Sequence, residues 1–135
     1  MSDLQQLFKD SKNGVLVTLK RDGRPQLSNV FYTFDGEVIR ISVTDDRVKT
    51  KNLRRDPRVS FYVTRPDFWA YAVAEGTATF SEIAADPHDA AVDELVEHYR
   101  TAVGEHQDWD EFRGTMVADR RLVVRIAVER IYGMG

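Results

Sequence analysis

Apolar residues recur at every second position in parts of this chain, which is the pattern of half-buried β-strands. The clearest case is the segment 58–64, where valine and phenylalanine alternate with more polar residues. Apolar runs at 14–20, 70–80 and 122–131 predict further strands. The pattern therefore predicts a mainly β protein.

Two Asp-Gly pairs, at 22–23 and 35–36, separate the early strands. Such pairs are typical of tight hairpin turns. The segments 14–20, 26–34 and 37–44 are therefore expected to form a three-stranded antiparallel meander. Together with the three later strands, the meander predicts a small antiparallel barrel of six strands with peripheral helices.

Three segments follow the spacing of amphipathic helices. The first lies at 4–8, ahead of the first strand. Asp86 and Pro87 are a typical helix start, a cap followed by proline at the first helical position, and that helix is expected to end at Gly104. A third helix is expected over 108–119. The residues expected to face inward are Leu4, Leu7, Phe8, Val92, Leu95, Val96, Tyr99, Val103, Trp109, Phe112 and Met116.

One face of the predicted strand at 70–80 carries almost no side-chain volume. It consists of Ala70, Ala72, Ala74, Gly76 and Ala78. A bare face of this kind allows something large to approach the backbone. Two occupants fit equally well: a neighbouring helix or bulky strand, or a flat ligand.

The segment 45–57 concentrates positive charge between two predicted strands. Its cations are Arg47, Lys49, Lys51, Arg54 and Arg55. Asp45 or Asp46 is expected to cap a helix here, and Asp56 followed by proline is expected to end it. Backbone N–H groups at a helix start together with cationic side chains make a phosphate site. A solvated helix face is the alternative interpretation.

Composition narrows the classes of function. A chain of 135 residues is expected to form a single domain over 1–135. Its net charge of -3 argues against nonspecific nucleic-acid binding. The absence of cysteine excludes disulfides, thiolate metal sites and thiol catalysis, and it fits a reducing, cytoplasmic location. We expect no secretory signal in residues 1–7, and no apolar run has the length of a membrane span.

Several motifs that carry chemistry are missing from the chain. It contains no G-x-G-x-x-G, no P-loop and no G-x-S-x-G elbow. His88, His98 and His106 share neither a metal-ligand spacing nor one helix face, so we expect ordinary surface or helix histidines and no metal site. No catalytic residue is assigned, and the chemistry is expected to come from a bound cofactor.

Several blocks of the chain, in the same order, resemble the flavin/deazaflavin split β-barrel superfamily, the fold of pyridoxamine-phosphate-oxidase-like and FMN-binding proteins. The resemblance is greatest to the mycobacterial-type members that use the deazaflavin coenzyme F420. It covers nearly the whole chain. The blocks that carry it are at 14–18, 22–30, 47–58, 69–78, 104–109 and 116–121.

The resemblance implies a phosphate-binding role for the segment Arg47-x-Lys49-x-x-Asn52. Lys49, with Arg47 beside it, matches the family most strongly. Thr44, Thr50 and Asn52 are expected to add hydrogen bonds to the cofactor.

The resemblance also implies where the cofactor ring lies. Gln26, Ser28 and Asn29 are candidates for its polar edge. The segment matching Trp69, Ala70 and Tyr71 lines the site near the ring, in some arrangements from the second subunit. Family members are homodimers with two equivalent sites at the subunit interface, so a homodimer is expected here too.

The resemblance therefore predicts an F420-dependent oxidoreductase that transfers hydride from the reduced deazaflavin to a small conjugated organic substrate. Two alternatives remain open. One is an FMN-dependent enzyme of the pyridoxamine-phosphate-oxidase type. The other is a carrier that binds F420 without turnover.

Overall fold

A seven-stranded antiparallel sheet and four helices make up residues 3–135, the part of the chain that this computed structural model describes. Met1 and Ser2 lie outside the described residues. They are the first two residues of the segment 1–7, in which we expect no secretory signal. The helices are α1 (Asp3–Asp10), α2 (Val48–Arg55), α3 (Ala90–Ala102) and α4 (Trp109–Ala118). The strands are β1 (Asn13–Leu19), β2 (Pro25–Phe31), β3 (Thr33–Phe34), β4 (Val38–Thr44), β5 (Arg58–Thr64), β6 (Tyr71–Phe80) and β7 (Arg121–Met134).

The strands lie in the order β2-β1-β5-β6-β7-β4-β3, and every pair is antiparallel. Strands β2 and β3 follow each other in the chain, yet they occupy opposite edges of the sheet. The sheet must therefore curl until its edges approach each other. This architecture is the split β-barrel, so the predicted fold class is confirmed, with seven strands in place of six.

The predicted three-stranded meander is wrong, because the segment 26–34 divides at Tyr32. Phe31 pairs with β1, whereas Thr33 pairs with β4. The Tyr32 ring is buried at 4.8 Å from Phe61, and its hydroxyl donates to the carbonyl of Phe8 at 2.6 Å. Anchoring this large side chain in the core interrupts the strand and sends the chain to the other edge.

The face of alanine and glycine on β6 lies inside the barrel. Ala72 and Ala74 are fully buried in the same core cluster as Phe8 of α1 and Phe61 of β5. Bulky neighbours therefore fill the space that the small residues leave open. Of the two predicted occupants, packing is the correct one, and a flat ligand on this face is ruled out.

Helix α2 begins differently from the prediction. Its N-cap is Arg47, whose side chain makes no capping hydrogen bond. Asp45 instead accepts hydrogen bonds from Arg54 at 2.5 Å and from Arg120 at 3.2 Å, and Asp46 accepts one from the Thr44 hydroxyl. The expectation that Asp45 or Asp46 caps the helix is therefore wrong. The first N–H groups of α2 have no side-chain acceptor at the N-cap.

Helix α3 starts later than predicted. Asp89, not Asp86, is the N-cap, and its carboxylate accepts from the backbone N–H of Val92 at 2.8 Å. The segment 86–89 forms a turn closed by the Asp89 N–H and the Asp86 carbonyl. The predicted end at Gly104 is confirmed, and so is the third helix, which the structure shows as α4 with Asp108 as its N-cap.

Helices α3 and α4 pack on the sheet next to β7 and β4. They form a second apolar cluster, which includes Leu95, Phe112, Met116 and Val123. A cavity remains between these helices and strands β2 and β4.

Candidate functional site

The cavity beneath α3 and α4 has a volume of about 510 Å³. Its apolar wall comes from the two helices and includes Leu95, Tyr99, Phe112 and Met116. Its polar end comes from the start of α2, the C-cap of α4, and strands β4 and β7. The polar side chains there are Lys49, Ser42, Asp119 and Arg121.

Lys49 is the cation that the fold leaves without a counter-ion in this cavity. Its side chain forms no salt bridge within residues 3–135. Burial lowers the pKa of Lys49, and the neighbouring charges of Arg47 and Arg121 lower it further. Half-buried cations that repel one another favour an anion as their partner.

Arg121 is held in place by its neighbours. Its guanidinium donates to the Ser42 hydroxyl at 3.2 Å and lies 3.9 Å from the Asp119 carboxylate. Both partners line the cavity, so the cationic end is partly balanced by one carboxylate. The remaining positive charge is concentrated at Lys49 and at Arg47, whose side chain is exposed.

Thr50 and Asn52, predicted as cofactor ligands, point into the protein. The Thr50 hydroxyl donates to the carbonyl of Thr44 at 2.8 Å, and the Asn52 amide donates to the Thr18 hydroxyl at 3.1 Å. Both side chains are buried. They fix α2 against the ends of β4 and β1, and in this way they position Lys49.

The three predicted cofactor-binding residues on β2 lie on two different faces of the strand. The Gln26 side chain accepts from Thr18 and donates to Ser28, both at 3.1 Å. Asn29 lies on the opposite face of the strand, where it lines the cavity. Asn29 also lines a neighbouring cavity of about 430 Å³ beside Gly14 and Tyr62. Of the three residues, Asn29 is the one that the fold brings to Lys49.

Trp69, Ala70 and Tyr71 are not brought to the Lys49 cavity within one chain. Trp69 is 75% exposed, next to Phe68, which has a φ of +66°. Ala70 is buried, and the Tyr71 ring packs at 5.9 Å from Tyr62. None of the three lines the cavity.

The two arginines at the end of α2 are engaged in the fold. Arg54 pairs with Asp45 and lies over the Phe80 ring at 5.6 Å. Arg55 donates to the carbonyl of Leu19 and to Asn52. Within the basic segment, Arg54 and Arg55 therefore support the fold, whereas Arg47 and Lys49 belong to the candidate site.

His98 is a cavity residue that the sequence interpretation missed. It is 9% exposed, lines the cavity, and places Nδ1 3.2 Å from the Thr33 hydroxyl. Burial, helped by the charge of Arg40, lowers its pKa to about 4, although Glu94 acts in the opposite direction. The sequence did contain a signal for His98 as a cavity residue. It follows Leu95 by three positions, and that spacing puts both side chains on one helix face.

Residues 3–135 contain neither a cluster of metal ligands nor a membrane-spanning helix. No cluster of three or more potential metal ligands occurs there. No helix of that part is long and apolar enough to cross a bilayer.

A curled antiparallel barrel with a basic helix beside the Lys49 cavity defines a protein of the pyridoxamine-phosphate-oxidase-like class. A sequence model of the pyridoxamine 5'-phosphate oxidase family matches residues 2–135. The chain belongs to this family.

Solved structures with the same fold carry different names. An F420 reductase superposes with a TM-score of 0.73 at 22% identity, covering 98% of both chains. A conserved hypothetical protein from Mycobacterium tuberculosis gives a TM-score of 0.77 at 27% identity, covering 99% of this chain and 84% of the other. The heme storage protein HutZ from Vibrio cholerae gives 0.73 at 15% identity, covering 98% and 93%. The fold is thus shared by proteins with different ligands.

Proposed function

We propose that this protein is a cytoplasmic F420-dependent oxidoreductase that reduces a small conjugated organic substrate. The observation that carries the proposal is Lys49, an unpaired, half-buried cation at the end of an apolar-walled cavity. The sequence resemblance to F420-dependent members and the fold shared with an F420 reductase support the choice of cofactor.

The residues at the polar end fit the phosphate of such a cofactor. Lys49 and Arg47 would bind it through charge-assisted hydrogen bonds, with the uncapped first turn of α2 adding backbone N–H groups. Thr50 and Asn52 would act indirectly, since their hydrogen bonds hold α2 in place.

The apolar part of the site would serve to exclude water. When bound, reduced F420 supplies a hydride from C5 of its deazaflavin ring. Asn29 would contact the polar edge of that ring, since it lines both neighbouring cavities. Walls of leucine and aromatic side chains would hold the reacting carbons together in a water-poor environment.

The site is completed, in this proposal, by a second copy of the chain. Leu27, Phe31, Phe68 and Trp69 are exposed apolar residues on the edge strand β2 and on the β5–β6 connection. A homodimer would cover these side chains and would bring Trp69 and Tyr71 of one subunit towards the cofactor of the other.

The test is a parallel titration of purified protein with F420 and with FMN, followed by fluorescence. Tight F420 binding with weak FMN binding is expected. Lys49→Ala should weaken F420 binding by roughly 1–3 kcal/mol, the range for hydrogen bonds to charged groups. Lys9→Ala removes the same charge from α1, whose residues do not line the cavity, and should leave the affinity unchanged.

Other outcomes would redirect the proposal. Preferential FMN binding would indicate an FMN-dependent enzyme of the pyridoxamine-phosphate-oxidase type. F420 binding without reduction of any conjugated substrate would indicate a carrier. A heme titration belongs in the same series, because a heme storage protein shares this fold.

A further inference from the structure

The apolar end of the Lys49 cavity contains a polar group, on His98, that no other part of the described chain uses. His98 is buried in the wall, and its Nδ1 contacts Thr33. Its other ring nitrogen, Nε2, makes no hydrogen bond within residues 3–135. Among the described residues, every fully buried side-chain nitrogen or oxygen has a hydrogen-bond partner. Because Nε2 has none, it is not fully buried, and the space open to it is the cavity that His98 lines.

The contact with Thr33 favours one tautomer of the His98 ring. The Thr33 hydroxyl has no other hydrogen-bond partner among the described residues, so we assign it as the donor to Nδ1. The proton of the neutral imidazole then lies on Nε2. Burial keeps the ring neutral at pH 7, because it lowers the pKa of His98 to about 4. His98 thus presents a neutral N–H donor to the cavity, whose lining also includes Asn29, Tyr99 and Thr115.

The surroundings of this donor are aromatic. The rings of Tyr99 and Phe112, both on the cavity wall, lie 5.0 Å apart. Trp109 packs edge-on against both from behind, and its indole N–H donates to Glu105 at 3.0 Å. These contacts fix the wall in place. Apolar and aromatic walls with a few convergent polar groups are typical of sites for small organic ligands that carry an acceptor.

We propose that the α3–α4 half of the cavity binds a planar aromatic carbonyl compound, whose oxygen accepts a hydrogen bond from Nε2 of His98. The further statement that this compound is the substrate to be reduced rests on the proposed function. The binding of the compound does not depend on that function. Because negative charge develops on a conjugated carbonyl oxygen as hydride adds, the same hydrogen bond would strengthen during reduction.

The experiment compares two probes of similar shape by calorimetry on the intact protein. Menadione carries ring carbonyls, whereas 2-methylnaphthalene has the same fused rings and none. Menadione does not modify this protein through thiols, because the chain has no cysteine. His98→Leu should weaken menadione binding about 3- to 10-fold, the effect of losing one neutral hydrogen bond, and should change 2-methylnaphthalene binding less than twofold.

Two further variants separate the donor from the pocket. Thr33→Val leaves His98 in place but removes the group that fixes its tautomer, so menadione binding should weaken by a smaller factor. Ala102→Trp fills the cavity and should abolish binding of both probes, since Ala102 lines it. Circular dichroism shows whether each variant is folded. If His98→Leu does not fold, menadione binding by Thr33→Val still tests the role of His98.

Several results would overturn the proposal. Equal loss of both probes in His98→Leu would show that the residue acts on the shape of the pocket alone. Unchanged menadione binding in Ala102→Trp would place the ligand elsewhere. Displacement of menadione by F420 would assign the whole cavity to the cofactor. If F420 fails to bind while menadione binding still depends on His98, the proposed function fails and this inference stands.

Discussion

Two titratable side chains at the cavity, Lys49 and His98, both have pKa values lowered by burial, with opposite consequences. For Lys49 the lowered pKa reflects a cation that lacks a counter-ion beside Arg47 and Arg121. Binding of an anion would relieve that repulsion. For His98 it means that the ring stays neutral and keeps one donor for the cavity. Burial thus favours the binding of an anion at Lys49 and a neutral hydrogen bond at His98.

His98 makes the stability of the protein depend on pH in mildly acidic solution. Its pKa of about 4 in the folded state lies below the 6.5 of the unfolded chain. Between these values the unfolded state binds the additional proton, so stability is complete above pH 6.5 and is lost as the pH falls towards 4. The loss is on the order of 3 kcal/mol.

Urea unfolding at several pH values measures this dependence. His98→Gln lacks the titrating group, so its stability should vary less with pH over the same range. The difference between the two proteins isolates His98 from Asp35, whose pKa is lowered by its hydrogen bonds and which titrates at lower pH. Parallel curves for the two proteins would contradict the prediction.

Sequence patterns predicted the helix in the basic segment 45–57 but not the structural role of every residue within it. The cluster of cations at 45–57 correctly indicated a basic helix beside the candidate site. Charge alone does not show that Arg54 and Arg55 support the fold, because their partners, Asp45 and Leu19, come from other elements. His98 was overlooked for the same reason: Thr33 lies 65 positions away.

At the scale of elements, local rules predicted where strands and helices occur better than where they begin. Alternation predicted β5 correctly, since Val59, Phe61 and Val63 are all buried. The starts of α2 and α3 were misplaced because aspartates at neighbouring positions compete as caps. Only the folded chain shows that Asp45 is occupied by Arg54 and Arg120.

Two glycines in different elements should respond oppositely to alanine. Gly76 lies at a bulge between β6 and β7, where a Cβ would be 2.2 Å from the carbonyl oxygen of Ala127. Gly76→Ala must shift backbone and should destabilise by more than about 2 kcal/mol. Gly114 lies within α4 with no atom within 4 Å of an added Cβ, so Gly114→Ala should stabilise by roughly 0.5–1 kcal/mol.

Chemical denaturation of both variants beside the wild type provides the measurement. Gly114→Ala serves as the matched control, because it makes the same chemical change at an unobstructed helical position. A Gly76→Ala protein as stable as the wild type would mean that the bulge can relax without cost.

At the scale of the whole molecule, topology was the feature that local patterns could not supply. Turn motifs correctly indicated hairpins, but they do not say which hairpins pair with each other. The buried Tyr32 sends β2 and β3 to opposite edges of the sheet. That arrangement leaves β2 as an edge strand, with Leu27 and Phe31 exposed. Its uncovered edge and apolar side chains are features that a second subunit would cover.

The dimer proposal predicts a specific response to Trp69→Glu. The wild type should sediment as a dimer at micromolar concentration. A charge at this exposed aromatic residue should weaken dimerisation at least tenfold, since buried tryptophans often dominate interfaces. Val103→Glu places the same charge on an exposed apolar residue at the end of α3 and should leave the dimer intact.

Measuring F420 affinity on Trp69→Glu connects assembly to the site. Val103 lines the Lys49 cavity, so Val103→Glu is a control for dimerisation only. Trp69 does not line the cavity of its own chain. Weaker F420 binding by Trp69→Glu, together with dissociation, is therefore expected only if the partner subunit completes the site. A wild type that sediments as a monomer, or a monomeric variant that binds F420 with unchanged affinity, would contradict a site shared between subunits.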